Sequence, residues 1–305
     1  MGFDATELLI PPRLSPGDTI GVAAPGSPFD RAQFRQGVAV LAAMGFQVAL
    51  ADGLFERCGY LAGPDPHRAA LLNGLFADPA VKAIVCARGG YGALRVIDRL
   101  DWALIRRHPK LLVGFSDATN LHAALWGKCR MVSLHGPNVT GLAEADDETR
   151  TALMAALTGK APIALSLSQA VTLQAGAASG IVAGGNLTCL CHLIGTPFHP
   201  CFDGRLLFLE DRGEAPYRID RMLTQMTQAG CLKGVAGVIL GNFSACGALE
   251  VVYGVFRERL GEHRIPILAG LEAGHEKRNL TLPMGLEATL DADARTLRYR
   301  LPAGA

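Results

Sequence analysis

Through its first half the chain repeats one pattern. A short, uniformly apolar run ends at glycine or polar residues, and a longer segment follows with apolar positions every three or four residues. Residues 19–24, 47–51, 81–87, 111–114 and 131–134 read as strands. Between them, 31–44 (closed by Gly45), 67–77 (ended near Pro79), 93–100 and 118–126 read as helices. Apolar strands separated by amphipathic helices predict a parallel sheet covered on both faces. A further helix is expected over 146–157, with Asp146 or Asp147 as its N-cap, broken by Thr158-Gly159-Lys160-Ala161-Pro162. Beyond it the pattern changes. Residues 161–180 alternate and are rich in small side chains, and a boundary is expected there. Strands at 205–209 and 235–240 flank a helix at 218–228, and 289–301 alternates as a strand pair about Asp291-Ala292-Asp293. The expected fold class is α/β: an N-terminal parallel-sheet domain over 1–160, a linker over 161–180, and a smaller C-terminal mixed α+β domain over 181–305. No internal repeat is visible.

Composition narrows the function. A chain of 305 residues, half of them hydrophobic, suits two domains. Its formal net charge of +1 leaves no basic excess for a nucleic-acid footprint. No window reaches the roughly 18 apolar residues of a membrane helix. The N-terminus lacks the basic and apolar regions of a secretory signal, which makes the cytoplasm the expected location; Met1-Gly2-Phe3-Asp4-Ala5-Thr6 meets the myristoylation pattern only formally. Eight cysteines in such a chain read as reduced thiols rather than a disulfide framework. Cys189, Cys191, His192, His199 and Cys201 form a local cluster, but its C-x-C spacing does not suit zinc, and helical positions two apart diverge. No metal is expected.

In open parallel sheets, ligands bind beyond the carboxyl ends of the strands. The residues there are Pro25-Gly26-Ser27, Arg88-Gly89-Gly90-Tyr91-Gly92, Ser116-Asp117 and His135-Gly136-Pro137. Ser116, between a strand and a helix in Gly114-Phe115-Ser116-Asp117-Ala118, occupies the position of a nucleophile elbow, with alanine where the lipase-type pattern has its second glycine. Ser116 or Asp117 serving only as a helix cap accounts for the segment equally well. Arg88-Gly89-Gly90-Tyr91-Gly92 lacks the dinucleotide spacing but lets backbone N–H groups face an anion; a merely tight turn explains it too. A serine nucleophile needs a base, and the base an orienting acid. Among eight histidines, His67, His108 and His263 read as surface residues, His122 points elsewhere on its helix, and His135 could line the site. His275, in a polar loop after Gly274, suits a base, or is simply solvated. Glu210 closes the apolar run Leu206-Leu207-Phe208-Leu209 and suits the acid, or is a strand-end charge; Glu214 could serve the following helix.

Taken together these segments resemble the LD-carboxypeptidase (muramoyltetrapeptide carboxypeptidase) family. The resemblance rests on Gly21-Val22-Ala23-Ala24-Pro25-Gly26-Ser27-Pro28, Ala87-Arg88-Gly89-Gly90-Tyr91-Gly92, Gly114-Phe115-Ser116-Asp117 and His135-Gly136-Pro137. It continues through Gly184-Gly185-Asn186-Leu187, Leu209-Glu210-Asp211, Tyr217-Arg218-Ile219-Asp220-Arg221 and Gly274-His275. It implies a serine peptidase whose nucleophile is Ser116, acid Glu210 and base His275, with nucleophile and base on different domains and the site in the cleft between them. It also implies a homodimer, no cofactor and no metal. The implied substrate is a murein tetrapeptide, cut at the L,D-bond before terminal D-alanine during peptidoglycan recycling. In such a mechanism the Asp117 N–H and one near Gly90 would hold the oxyanion, and Arg88 or Arg212 the terminal carboxylate. Two alternatives remain. One is the family's microcin self-immunity branch, acting on peptidyl or aminoacyl nucleotides, against which Trp102 and Trp126 lie in or next to first-domain helices. The other is a non-catalytic ligand-binding α/β protein.

Overall fold

The computed structural model describes residues 7–159, 164–167 and 169–300. The chain divides into two compact units, Met1–Lys160 with Leu280–Pro283, and Ala161–Asn279 with Met284–Ala305.

The first unit alternates β1 (Thr19–Ala23), α1 (Arg31–Ala43), β2 (Gln47–Leu50), α2 (Asp65–Ala77), β3 (Val81–Cys86), α3 (Trp102–Arg107), β4 (Leu111–Gly114), α4 (Thr119–Cys129), β5 (Ser133–His135), α5 (Val139–Leu142) and α6 (Asp147–Thr158). β1 pairs in parallel with β2 and β3, β3 with β4, and β4 with β5. All their carboxyl ends therefore open on one edge. Ile20, Val22, Val85 and Val113 pack against Phe34, Leu41, Leu153 and Leu157 from the helices. Local chemistry sets the ends. Asp30 caps α1 through the Ala32 and Gln33 N–H groups, both at 2.8 Å, and Asp146 caps α6 through Thr149 N–H at 2.9 Å. Gly159, at φ +63°, ends α6 in the left-handed conformation.

The second unit holds β6 (Ala164–Ser166), β7 (Val171–Gln174), β8 (Ala177–Asn186), α7 (Leu187–His192), β9 (Arg205–Arg212), α8 (Pro216–Gln228), β10 (Gly237–Ser244), α9 (Leu249–Leu260), β11 (Ile267–Ala269), β13 (Glu287–Asp291) and β14 (Thr296–Tyr299), while β12 (Leu282–Met284), between β11 and β13, has Leu282 and Pro283 in the first unit. β12 joins the first sheet, whose order is β12-β5-β4-β3-β1-β2; the others build a mixed sheet of order β6-β14-β13-β8-β9-β10-β11-β7. Its centre is parallel, β8 to β9 to β10 to β11, and its edges antiparallel. Ile219, Leu223 and Met226, on one face of α8, close over Leu207, Leu209, Val238 and Leu240.

Several segments differ from expectation. The stretch 161–180, read as a linker, supplies β6, β7 and the start of β8 to the second sheet; residues 160–163 and 168 lie outside the described residues. Small, alternating side chains are compatible with half-exposed edge strands, so composition alone could not separate the two. The helix expected over 93–100 is instead two 3-10 turns, Ala93–Arg95 and Ile97–Arg99, before α3. The Ala93 N–H is taken by Asp117, which pins the segment's start to another strand's loop. Finally, α5, α9, β11 and β12 have no counterpart among the expected elements.

Candidate active site

Ser116 follows β4 at the edge where the strands end. Phe115 is extended, Ser116 turns to φ +63°, and a single 3-10 turn leads into α4. A non-glycine residue in the left-handed region carries strain, and strain here is the signature of a strand–turn–helix elbow that lifts one side chain off the sheet. Glycines make room for it. A Cβ on Gly114 would stand 2.8 Å from Ala118 Cβ and 3.0 Å from Cys86 Sγ; one on Gly89 would stand 2.8 Å from Ser116 Cβ and 3.1 Å from its Oγ. The loop after β3 is thus seated against the serine. Its own turn needs Gly90, at φ +92°, and is tied down by Tyr91 N–H donating to Ser27 Oγ at 3.0 Å.

Two buried charges hold this loop from opposite sides. Asp117 Oδ2 accepts the Ala93 N–H at 2.8 Å, and Asn120 Nδ2 donates to Oδ1 at 3.1 Å. Burial pushes the Asp117 carboxyl up to about 6, opposed by the Ala93 and Gly92 N–H groups and by Asn120. Arg68, 1 % exposed, donates to the carbonyls of Gly63 (3.1 Å), Gly92 (2.9 Å) and Pro25, and pairs with Asp65. It fastens the loop after β1 to the loop after β3. The sequence reading missed it, although a signal existed. Arg68 lies on the same buried face of α2 as Ala69, Leu72, Leu75 and Phe76, where an arginine must have an internal task.

The other first-unit candidates resolve differently. His122 is buried, and burial pulls it down to about 4, so its ring is neutral. Its Nε2–H donates to the Gly114 carbonyl at 2.9 Å, and Nδ1 accepts from Ser133 Oγ at 2.8 Å. It braces the strand before the elbow. His135, expected as a lining residue, is fully buried, its ring 6.1 Å from that of Phe115. His67, expected on the surface, is half-buried against the Gly53 carbonyl at 3.1 Å. Arg88 is exposed and donates to the Pro28 carbonyl at 2.7 Å.

In the second unit Glu210, fully buried near the end of β9, lies 2.6 Å from Nδ1 of His275. Burial pushes the Glu210 carboxyl up, and the contact with His275 opposes the shift. Asn186, the last residue of β8, stands in register with Glu210. Asp211 faces the other way. It accepts from Asn186 Nδ2 (3.0 Å), Thr188 N–H (2.9 Å) and Thr188 Oγ1 (2.8 Å), tying α7 to β9. Approach of His275 depends on Gly274, at φ +124°, where a Cβ would stand 2.7 Å from Glu210 Oε2. Gly274 N–H donates to Asn279 Oδ1 at 2.9 Å, and Ser244 Oγ donates to the His275 carbonyl at 2.9 Å. Asn279, buried and unnoticed in the sequence, orients the loop; set among Glu276, Lys277 and Arg278, it carries no signal of its own. Arg212 is exposed, two residues past Glu210.

The cysteine–histidine cluster does not converge. Cys191 Sγ donates to the Met222 carbonyl at 3.7 Å, and His199 lies against Cys231 at 3.6 Å. Among the described residues no three histidine, cysteine or acidic side chains are grouped to hold a metal, and no helix is long and apolar enough to cross a membrane.

A parallel α/β unit with a strained serine at its strand edge, joined in one chain to a mixed-sheet unit bearing a buried carboxylate–imidazole pair, has the components of a serine hydrolase. The comparisons agree. Residues 20–136 match the model of the LD-carboxypeptidase N-terminal domain, and residues 179–290 that of its C-terminal domain. The chain is 36% identical to a protein of Bacillus subtilis named "Probable murein peptide carboxypeptidase", over 94% of this chain and 92% of the relative. It is 26% identical to the microcin C7 self-immunity protein of Escherichia coli, over 93% of both. The crystal structure of a muramoyltetrapeptide carboxypeptidase from Oxalobacter formigenes superposes with a TM-score of 0.80 at 30% identity, covering 92% of this chain and 97% of that one. The chain belongs to the LD-carboxypeptidase family of serine peptidases.

Proposed function

We propose that the protein is a serine carboxypeptidase that removes terminal D-alanine from murein tetrapeptides by cutting the L,D-bond, as in peptidoglycan recycling. The observation that carries this reading is the buried Glu210–His275 contact of 2.6 Å on a chain whose Ser116 sits in a strained elbow. Nδ1–H of His275 donates to Glu210, which leaves Nε2 as the base. Nε2 takes the Ser116 proton as Oγ attacks the scissile carbonyl. The Asp117 N–H and one near Gly90 hold the oxyanion, and losing one such donor would cost about 3–4 kcal/mol of barrier. The imidazolium then protonates the leaving amine, and water, deprotonated by the same nitrogen, releases the acyl group. Arg88 or Arg212 holds the terminal carboxylate, a geometry suited to bidentate guanidinium contact. No step calls on a metal or cofactor. In this reading the first domain brings the nucleophile and the second the acid–base pair, and the enzyme works in the cytoplasm as a homodimer.

Mass spectrometry of a murein tetrapeptide incubated with the protein tests this. Loss of a single D-alanine, absent with Ser116→Ala, is expected; an intact peptide would remove the reading. A second reading, hydrolysis of a peptidyl or aminoacyl nucleotide, is favoured by one feature. Tyr217, 63% exposed at the start of α8, has Arg218 and Arg221 within 5.8 Å and 5.5 Å of its ring, a surface on which a base could stack. Release of an aminoacyl group from such a nucleotide, with the tetrapeptide untouched, would decide for it.

A further inference from the structure

Beside the Ser116 elbow, wholly within the first unit, lies a cleft of about 530 Å³. Residues 28–31 and 54–57 form two of its walls and Arg88 a third. Its apolar side is Phe29, Leu54 and Phe55, the two rings 5.6 Å apart. Three arginines face it: Arg88, Arg57, and Arg31, whose guanidinium lies 4.7 Å from the Phe55 ring centre. Among the described residues none of the three has a carboxylate partner. Two acids, Asp30 and Glu56, also line it, so the cleft keeps a net excess of one positive charge. Asp30 caps α1 through two N–H groups, and Glu56 lies 3.7 Å from His67 Nε2. Positive charge without a partner, gathered around a concavity with an apolar wall, concentrates anions there. The volume falls in the range of small-molecule sites, and a single alanine would leave most of it empty. The cleft also shares a loop with the elbow, since Arg88 precedes Gly89, which abuts Ser116.

We infer that this cleft binds the acyl-side portion of a carboxylate-bearing peptide, and that Arg31 and Arg57 determine specificity for its negative charge. The inference rests on the peptidase reading and names what lies upstream of the bond cut. An apolar or neutral acyl segment would strip water from three guanidinium groups and return nothing, whereas a carboxylate can take charge-assisted hydrogen bonds from them.

The test uses full-length protein carrying Ser116→Ala, titrated calorimetrically with a murein tetrapeptide and with the same peptide amidated at every carboxyl except the terminal one. The acidic peptide should bind about tenfold tighter, the weight of one charge-assisted hydrogen bond. Adding Arg57→Glu or Arg31→Glu should close that gap; both positions are exposed, so the fold should tolerate them, and Arg57→Gln provides a milder check. Equal affinity for the two peptides, or a gap that survives both substitutions, would overturn the inference. Adenosine monophosphate should not displace the acidic peptide; displacement in the same concentration range would assign the charge preference to phosphate and likewise overturn it. D-alanine release by the wild-type protein separates the two claims. If no release occurs while the affinity gap stands, the reaction is wrong and the anion site right.

Discussion

The elbow around Ser116 and the loop around His275 solve opposite problems. At Ser116 a hydroxyl must stand clear of the sheet, and the work is done by backbone: a left-handed residue, an adjoining loop turned at Gly90, and N–H groups fixed by Asp117. At His275 a carboxylate must be withdrawn from water, and the work is done by burial, with Glu210 fully enclosed near the end of β9. Both sites place a glycine where a Cβ would collide, Gly89 against Ser116 and Gly274 against Glu210. The lesson is that one region stores conformational strain and the other stores desolvation. Substitutions should therefore separate activity from stability differently in each.

The largest effect is expected at the buried pair. Glu210→Gln keeps the shape but removes the charge that stabilises the imidazolium, and kcat should fall by about 10⁴, as when other triad carboxylates are neutralised. Steady-state kinetics on the folded variant measure it; a fall below tenfold would detach Glu210 from the chemistry and erase the contrast. Next comes a pH effect on the elbow side. The Asp117 carboxyl sits at about 6 against an ordinary 3.8, so the native state holds this proton more tightly than the unfolded chain. Its contribution to stability is full below about pH 4 and is lost as pH rises through 6. The stability of Asp117→Asn relative to wild type should accordingly rise by about 2 kcal/mol between pH 4 and 7. Urea unfolding at a series of pH values reads this directly, and parallel curves would mean the carboxyl ionises normally. The smallest effect isolates strain itself. Ser116→Gly should be about 1 kcal/mol more stable than Ser116→Ala, because only glycine occupies φ +63° without penalty. Equal melting of the two inactive variants would show that the elbow stores no strain.

Much of this was legible beforehand, for physical reasons. Strands buried on both faces are mostly apolar, so β1, β3 and β4 announced themselves, as did helices α1 and α6. The positions after strands were marked as ligand-facing by topology alone. The 3-10 segment after Gly92 was misread because its deciding contact, Ala93 to Asp117, spans 24 residues. Edge strands β6 and β7 looked like linker because small, alternating residues give little apolar signal. Arg68 was marked only by its place on the apolar face of α2, and Asn279 was not marked at all, because a buried polar residue looks like any other until its partners are known.

The linear order of residues by itself determined most of the first-unit strands and the helices between them, and it singled out Ser116, Glu210 and His275 as candidates without deciding their roles. Those properties depend on side-chain periodicity and on caps that act within a few residues. Only the tertiary structure decided that Glu210 and His275, 65 positions apart, would lie within hydrogen-bonding distance, that Arg68 would join two loops, and that three arginines would share one cleft. Such encounters are set by strand order and register, which arise from packing the whole core at once rather than from any local stretch of chain.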